Sequence, residues 1–227
     1  MIRLRAMRFL KIGEPEIKWL DRLVDSNKAA LDIGANLGVY TYFLRKFAQE
    51  VHAFEPNPDL QRNLQATFGN SITLHPCALS SEEGTADLSF PILNGTRYHG
   101  WGSLEKSFSE ETEVVSYQVP LKVLDKQELP PVGFIKIDVE GHESAVLEGA
   151  RKLITKDLPK LLIEIEEQHA GDNYWKTFEI LESLGYRASY LYEDSFVPLK
   201  TGENGKHELL RETNMFLFIP KEAPLPK

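Results

Sequence analysis

The residues best suited to chemistry sit in one short run, Leu31-Asp32-Ile33-Gly34-Ala35-Asn36-Leu37-Gly38, where a carboxylate interrupts an apolar stretch and two glycines follow. Glycines at such a turn let the chain bend sharply and come close to a ligand, and the helix that follows leaves free N–H groups at its start. Seventeen residues beyond Gly38 stands Glu55, at the tip of the next apolar run. An acidic side chain about 20 residues into such a unit is placed to accept both hydroxyls of a cofactor ribose. The turn does not read G-x-G-x-x-G, because Asn36 stands where the second glycine of a dinucleotide site would be. A carboxylate such as Asp32 repels a diphosphate and attracts an ammonium or sulfonium, so the expected ligand carries a cationic amino-acid group. An NAD-dependent oxidoreductase survives as an alternative on fold alone.

These residues need a scaffold of alternating strands and helices. Apolar runs at Ala29 to Ile33, Val51 to Phe54, Ile72 to Leu79, Phe134 to Asp138 and Leu161 to Ile165 read as strands. Helical spacing of apolar residues covers Glu14 to Val24, Tyr40 to Ala48, Asp59 to Phe68, Ser144 to Ile154 and Tyr174 to Leu184. The alternation predicts an α/β fold: a Rossmann-like, doubly wound, mostly parallel sheet of seven strands. The last two strands, near Ala188 to Tyr192 and Met215 to Ile219, lack a helix between them and predict an antiparallel edge hairpin. Between Thr85 and Lys122 the pattern changes to short strands around a Gly-rich loop containing Tyr98, His99 and Trp101. That insertion is expected to act as a lid over the acceptor, its aromatic groups stacking on a ring. The whole of 1–227 reads as one domain, with 1–28 as an N-terminal helical segment.

Composition narrows the function classes. With 34 acidic against 26 basic side chains the formal charge is −8, which argues against a nucleic-acid partner. The single cysteine, Cys77, excludes an internal disulfide and a multi-thiolate metal site within one chain. No apolar run reaches the ~20 residues needed to span a bilayer, and the basic start Met1 to Met7 has no secretory pattern. A cytoplasmic enzyme without a membrane partner is expected, with a homodimer left open.

Taken together, the runs Leu31 to Gly38, Ala53-Phe54-Glu55-Pro56-Asn57-Pro58, Cys77-Ala78-Leu79-Ser80 and Phe134 to Glu143 resemble the FkbM family of class I S-adenosylmethionine-dependent methyltransferases. Val146 to Ala150 and Leu162 to Ile165 extend the resemblance, which covers about residues 29 to 169. It implies S-adenosylmethionine as cofactor, with Asp32, Gly34, Asn36 and Gly38 around its methionine part, Glu55 on the ribose and Ala78 near the adenine. Asn57 and Asp138 join the cofactor-facing set. Ser81 stands where many members carry Asp, so no acceptor for the adenine amino group is assigned there.

The same resemblance places Asp138 beside the transferable methyl, where a carboxylate could hold a substrate hydroxyl, take its proton or bind a cation. Asp138 or Glu140 could equally cap the next helix. Glu140, His142 and His169 are further candidates for acid–base work, His142 being also compatible with a plain helix-start residue. Glu164 and Glu166 share one face at the end of the fifth strand, so with Asp138 they could hold Mg²⁺, although a solvated acidic strand end explains them as well. The acidic run at Glu110-Glu111-Thr112-Glu113 reads as a solvated face. The expected activity is O-methylation of a hydroxyl on a sugar, glycan or polyketide-like small molecule. Methylation of RNA or protein, and a non-catalytic cofactor-binding scaffold, are the alternatives.

Overall fold

The computed structural model describes residues 14–93, 96–97, 104, 113–165, 174–199 and 213–226. A 3-10 turn over Pro15–Trp19, started by a proline whose missing N–H costs nothing there, runs into α1 (Leu20–Leu23). Then follow β1 (Ala29–Ile33), α2 (Val39–Leu44), β2 (Glu50–Phe54), α3 (Pro58–Phe68), β3 (Thr73–His75) and β4 (Ala78–Leu79). Next come β5 (Gly84–Leu93), β6 (Thr96–Arg97), β7 (Glu113–Lys122), β8 (Val132–Ile137), α4 (Glu143–Glu148) and α5 (Arg151–Asp157). The chain continues through β9 (Lys160–Glu164), α6 (Tyr174–Ser183), β10 (Tyr186–Tyr192), β11 (Ser195–Pro198) and β12 (Met215–Pro220).

The main sheet has the order β11-β10-β12-β9-β8-β1-β2-β3. Its centre, β9 to β3, is parallel, whereas β12 runs antiparallel between β9 and β10. The fold is the expected doubly wound α/β type. Its strands number eight rather than seven, because β11 pairs on the outside of β10. The predicted final hairpin is antiparallel, but β12 is inserted beside β9 instead of lying at the edge. Strand order reverses between β1 and β8, and that is where an open sheet of this kind leaves a crevice beyond its strand ends.

Both faces of the central strands are covered, which is why they read as continuous apolar runs. Leu31, Ile33, Ile135, Ile137, Leu161 and Ile163 pack with Val146, Leu147, Ile154, Phe178 and Leu181 of α4, α5 and α6. Ala30, Phe134 and Leu162 face the other way, onto Leu20, Leu23, Tyr40, Phe43 and Leu44 of α1 and α2. Two predicted elements are broken. The expected strand over 72–79 stops at Pro76, which has no N–H for a ladder, and resumes as β4. The expected helix over 144–154 divides at Gly149, where a side-chain carbon would stand 2.2 Å from the Ser80 carbonyl oxygen.

The segment expected to hold short strands forms two ten-residue strands, β5 and β7, paired antiparallel in a separate sheet of order β4-β7-β5-β6. Leu88, Phe90 and Val119 form its buried face. Its root is β4, joined to β7 through Ala78 and Leu79, and the Ser80 N–H donates to the Lys122 carbonyl at 2.8 Å. The Tyr117 hydroxyl donates to Asp59 in the first turn of α3 at 3.1 Å, tying the hairpin to the main body. Among the described residues, no helix is long and apolar enough to cross a membrane.

Candidate active site

The turn after β1 uses three left-handed residues, Gly34 (φ 80°), Asn36 (φ 49°) and Gly38 (φ 79°). Asn is among the few residues with a side chain that tolerate this region. The glycines answer to protein neighbours. A side-chain carbon on Gly34 would lie 1.8 Å from the Asp138 carbonyl oxygen, and one on Gly38 would lie 2.5 Å from the Phe68 ring. Gly34 therefore lets the turns after β1 and β8 meet, and Gly38 seats the start of α2 against α3.

Glu55, only 4% exposed, braces this turn to the next one. Its carboxylate accepts the Asn36 N–H at 2.7 Å and the Asn57 N–H at 2.8 Å. Burial pushes Glu55 up to about 7, the Asn57 and Asn36 N–H groups pulling against it. Asn57 is itself buried and caps α3, accepting the Asp59 N–H at 2.9 Å.

A cleft opens at these strand ends and has two unlike walls. One, at the tips of β8, β1 and β2, presents Gly34, Asn36, Glu55, Asp138 and Glu140. The other, from α3, β4 and the hairpin, is apolar: Leu60, Ala78, Leu79, Leu88 and Phe90. His142 closes the gap between them, its Nε2 lying 3.0 Å from the Ser80 hydroxyl. Three carboxylates and no Lys or Arg line the described cleft. That charge fits a cationic amino-acid ligand with a flat apolar end and opposes a diphosphate.

Asp138 is the candidate that reaches both the cleft and the buried polar groups behind it. Its side chain is 32% exposed, and Lys136 Nζ, 1% exposed, lies 3.7 Å from its Oδ2. Lys136 also donates to the Ile137 carbonyl at 3.2 Å and sits 5.0 Å from the centre of the Tyr40 ring. Tyr40 in turn donates to Glu14. Glu164 lies near Asp138, and its affinity for a proton is raised by burial first and by the Asp138 charge second. The Asn214 amide donates to Glu164 from the other side at 2.5 Å.

The structure thus brings Gly34, Asn36, Glu55, Ala78, Asp138, Glu140 and His142 to the cleft. Asp32 is not on its wall. It is 2% exposed, accepts the Thr41 hydroxyl, and is pushed up to about 6 by burial against the pull of Thr41 and Lys136. Gly38 and Asn57 likewise support the walls from behind. Glu164 meets Asp138 but does not line the cleft. Glu166, His169, Tyr98, His99, Trp101, Glu110, Glu111 and Thr112 lie outside the described residues. Among the described residues, no three His, Cys, Asp or Glu side chains are grouped to hold a metal.

Two features are absent from the sequence reading. Lys136 has a visible signal, a lysine inside the strand Phe-Ile-Lys-Ile-Asp, where a parallel sheet buries both faces and a cation needs an anionic partner. Leu88 and Phe90 have none beyond their alternation, since only the hairpin's docking turns that face into the cleft.

Comparisons with known proteins follow the same residues. Residues 32–190 match the family described as Methyltransferase FkbM domain. The hexuronic acid methyltransferase AglP of Haloferax volcanii is 33% identical over 178 residues, covering 74% of this chain and 66% of that protein. Methyltransferase 1 of Beauveria bassiana is 29% identical over 180 residues, covering 69% and 71%. The chain thus spans about two thirds of the length of these curated relatives. The crystal structure of Methyltransferase FkbM from Methylobacillus flagellatus KT superposes with a TM-score of 0.53 at 19% identity, over 86% of this chain and 44% of that one, a likeness of fold. The matched span runs from Asp32 near the end of β1 into the strand β10, takes in every described cleft residue, and shows that the chain belongs to the methyltransferase FkbM domain family.

Proposed function

We propose that this chain transfers a methyl group from S-adenosylmethionine to a hydroxyl of a sugar, glycan or polyketide-like acceptor. The observation that carries the reading is the cleft itself, anionic along the strand tips, apolar on the facing wall, and without a cation among its described lining residues. Glu55 is the residue to receive the ribose hydroxyls, Gly34 and Asn36 to border the amino-acid part, and Ala78 to border the adenine. When bound, S-adenosylmethionine supplies an electrophilic methyl group. Asp138 accepts the hydrogen bond of the acceptor hydroxyl and takes its proton as the new C–O bond forms. Burial and the Asp138 charge raise the proton affinity of Glu164, while Lys136 supplies the nearby positive charge that keeps Asp138 oriented. Holding the acceptor oxygen in line removes much of the entropic barrier. The sugar class draws support from the Haloferax volcanii relative, whose name states hexuronic acid.

The test is transfer of isotope-labelled methyl from S-adenosylmethionine to a panel of uronic acids, neutral glycans and hydroxylated polyketides. Labelled methyl ether is the expected product. Failure of the protein to bind S-adenosylhomocysteine would sink the cofactor assignment, and label on nitrogen or carboxylate would sink the acceptor class. Asp138 and Glu164 are also oxygen donors of the kind Mg²⁺ prefers. Inactivation by EDTA with recovery on Mg²⁺ would move that pair from proton handling to metal binding.

A further inference from the structure

We infer that the β5–β7 hairpin belongs to the cofactor site: Leu88 and Phe90 form the wall against which the purine of a nucleoside cofactor packs. The inference rests on the cofactor assignment above and replaces the expected acceptor lid with a cofactor-side role. Its first support is the hairpin's root. β4 is a strand of the hairpin's sheet, and its two residues, Ala78 and Leu79, also line the cleft. Whatever lies against Ala78 therefore lies at the base of the hairpin.

Side-chain direction is the second support. Along β5 successive residues point to opposite faces, so Leu88 and Phe90 share one face while Ser89 points away, to the Ser116 hydroxyl at 2.8 Å. That shared face is the one in the cleft. Both residues are buried, and Phe90 meets Tyr117 edge-on at 6.1 Å between ring centres. The wall is thus part of a packed layer on one face of the hairpin. Tyr117 is anchored in turn to Asp59, next to Leu60 on the same apolar wall.

Chemistry is the third support. A purine is flat, with apolar faces, and suits aliphatic and aromatic side chains such as Leu60, Leu79, Leu88 and Phe90. An acceptor hydroxyl, by contrast, needs the carboxylates of the other wall.

Calorimetry with S-adenosylhomocysteine and 5′-methylthioadenosine tests this, because the second ligand keeps the nucleoside and lacks the amino-acid part. Leu88→Ala should weaken both ligands by a similar factor, about five- to tenfold, the scale of losing a few buried methylene contacts. Loss of affinity for S-adenosylhomocysteine alone, or affinities for both within about twofold of the parent, would overturn it. Hydrogen exchange on the unaltered protein gives a readout that needs no variant. Methylthioadenosine should slow exchange in Gly84–Leu93, and protection at Glu55 and Ala78 without any in Gly84–Leu93 would overturn the inference. If the unaltered protein binds neither ligand, the cofactor assignment fails first, so the two failures are distinct.

Discussion

The two walls of the cleft are built by different physical means. The carboxylate wall hangs on backbone geometry: left-handed residues, a glycine pressed against a carbonyl, and Glu55 gripping two N–H groups. The apolar wall hangs on side-chain packing over a hairpin anchored at its root and at one tyrosine. Backbone arrangements tolerate almost no change, because the atoms that clash cannot move aside, whereas packed side chains can partly relax. Substitutions on the first wall should accordingly cost more than those on the second.

The largest effect is expected from Gly34→Ala. The added carbon meets the Asp138 carbonyl, and the residue must keep φ near 80°, so stability should fall by about 3 kcal/mol or more. Chemical denaturation measures this, and a near-normal midpoint would show that the two turns can part without cost. Next comes Asp138→Asn, which keeps the side chain's size and removes its charge. Turnover on an identified acceptor should drop ~10²-fold while S-adenosylhomocysteine affinity stays within a few-fold. Equal losses in both would make Asp138 a binding residue.

Glu55 yields a pH signature. Its carboxyl, raised from an ordinary 4.5 to about 7, carries a proton below that pH and cannot then accept both ribose hydroxyls. Cofactor affinity should therefore weaken as pH falls through about 7, approaching tenfold per unit below it, and Glu55→Gln should abolish the dependence. The stability of the ligand-free chain runs the opposite way. A raised acid favours the folded state in its protonated form, so this contribution is full below about 4.5 and is lost as pH rises through about 7. A flat binding profile from pH 5 to 8 would remove Glu55 from the ribose. The smallest effect is expected from Tyr117→Phe, which loses one part-buried hydrogen bond to Asp59 at a cost of about 1 kcal/mol. Thermal unfolding reads it, and a loss several times larger would mean that the apolar wall depends on one anchor as the other wall does on Gly34.

Much of the first wall is legible in the sequence, because what builds it is local. Gly34, Asn36 and Gly38 announce a turn by residue type, and Glu55 announces itself by its place at a strand tip. Their reasons are another matter. Gly38 is pressed against the Phe68 ring of α3, and Asp32 is held behind the turn by the Thr41 hydroxyl, neighbours that residue type does not state. The split of the helix at Gly149 and the placing of β12 between β9 and β10 depend on partners far along the chain, Ser80 in one case and two strands in the other.

By itself the sequence determined the alternation of strands and helices, the glycine turn with its acid at the next strand tip, and membership of the FkbM family, since each is carried by residue type and short-range order. Only the tertiary structure decided that Lys136 lies beside Asp138, that Glu164 and Asp32 both feel the Asp138 charge, and that the hairpin turns Leu88 and Phe90 into the cleft. Those facts are contacts between segments distant in sequence. Burial, charge pairing and strand order act through space, and no local pattern of residues states which distant partner will supply them.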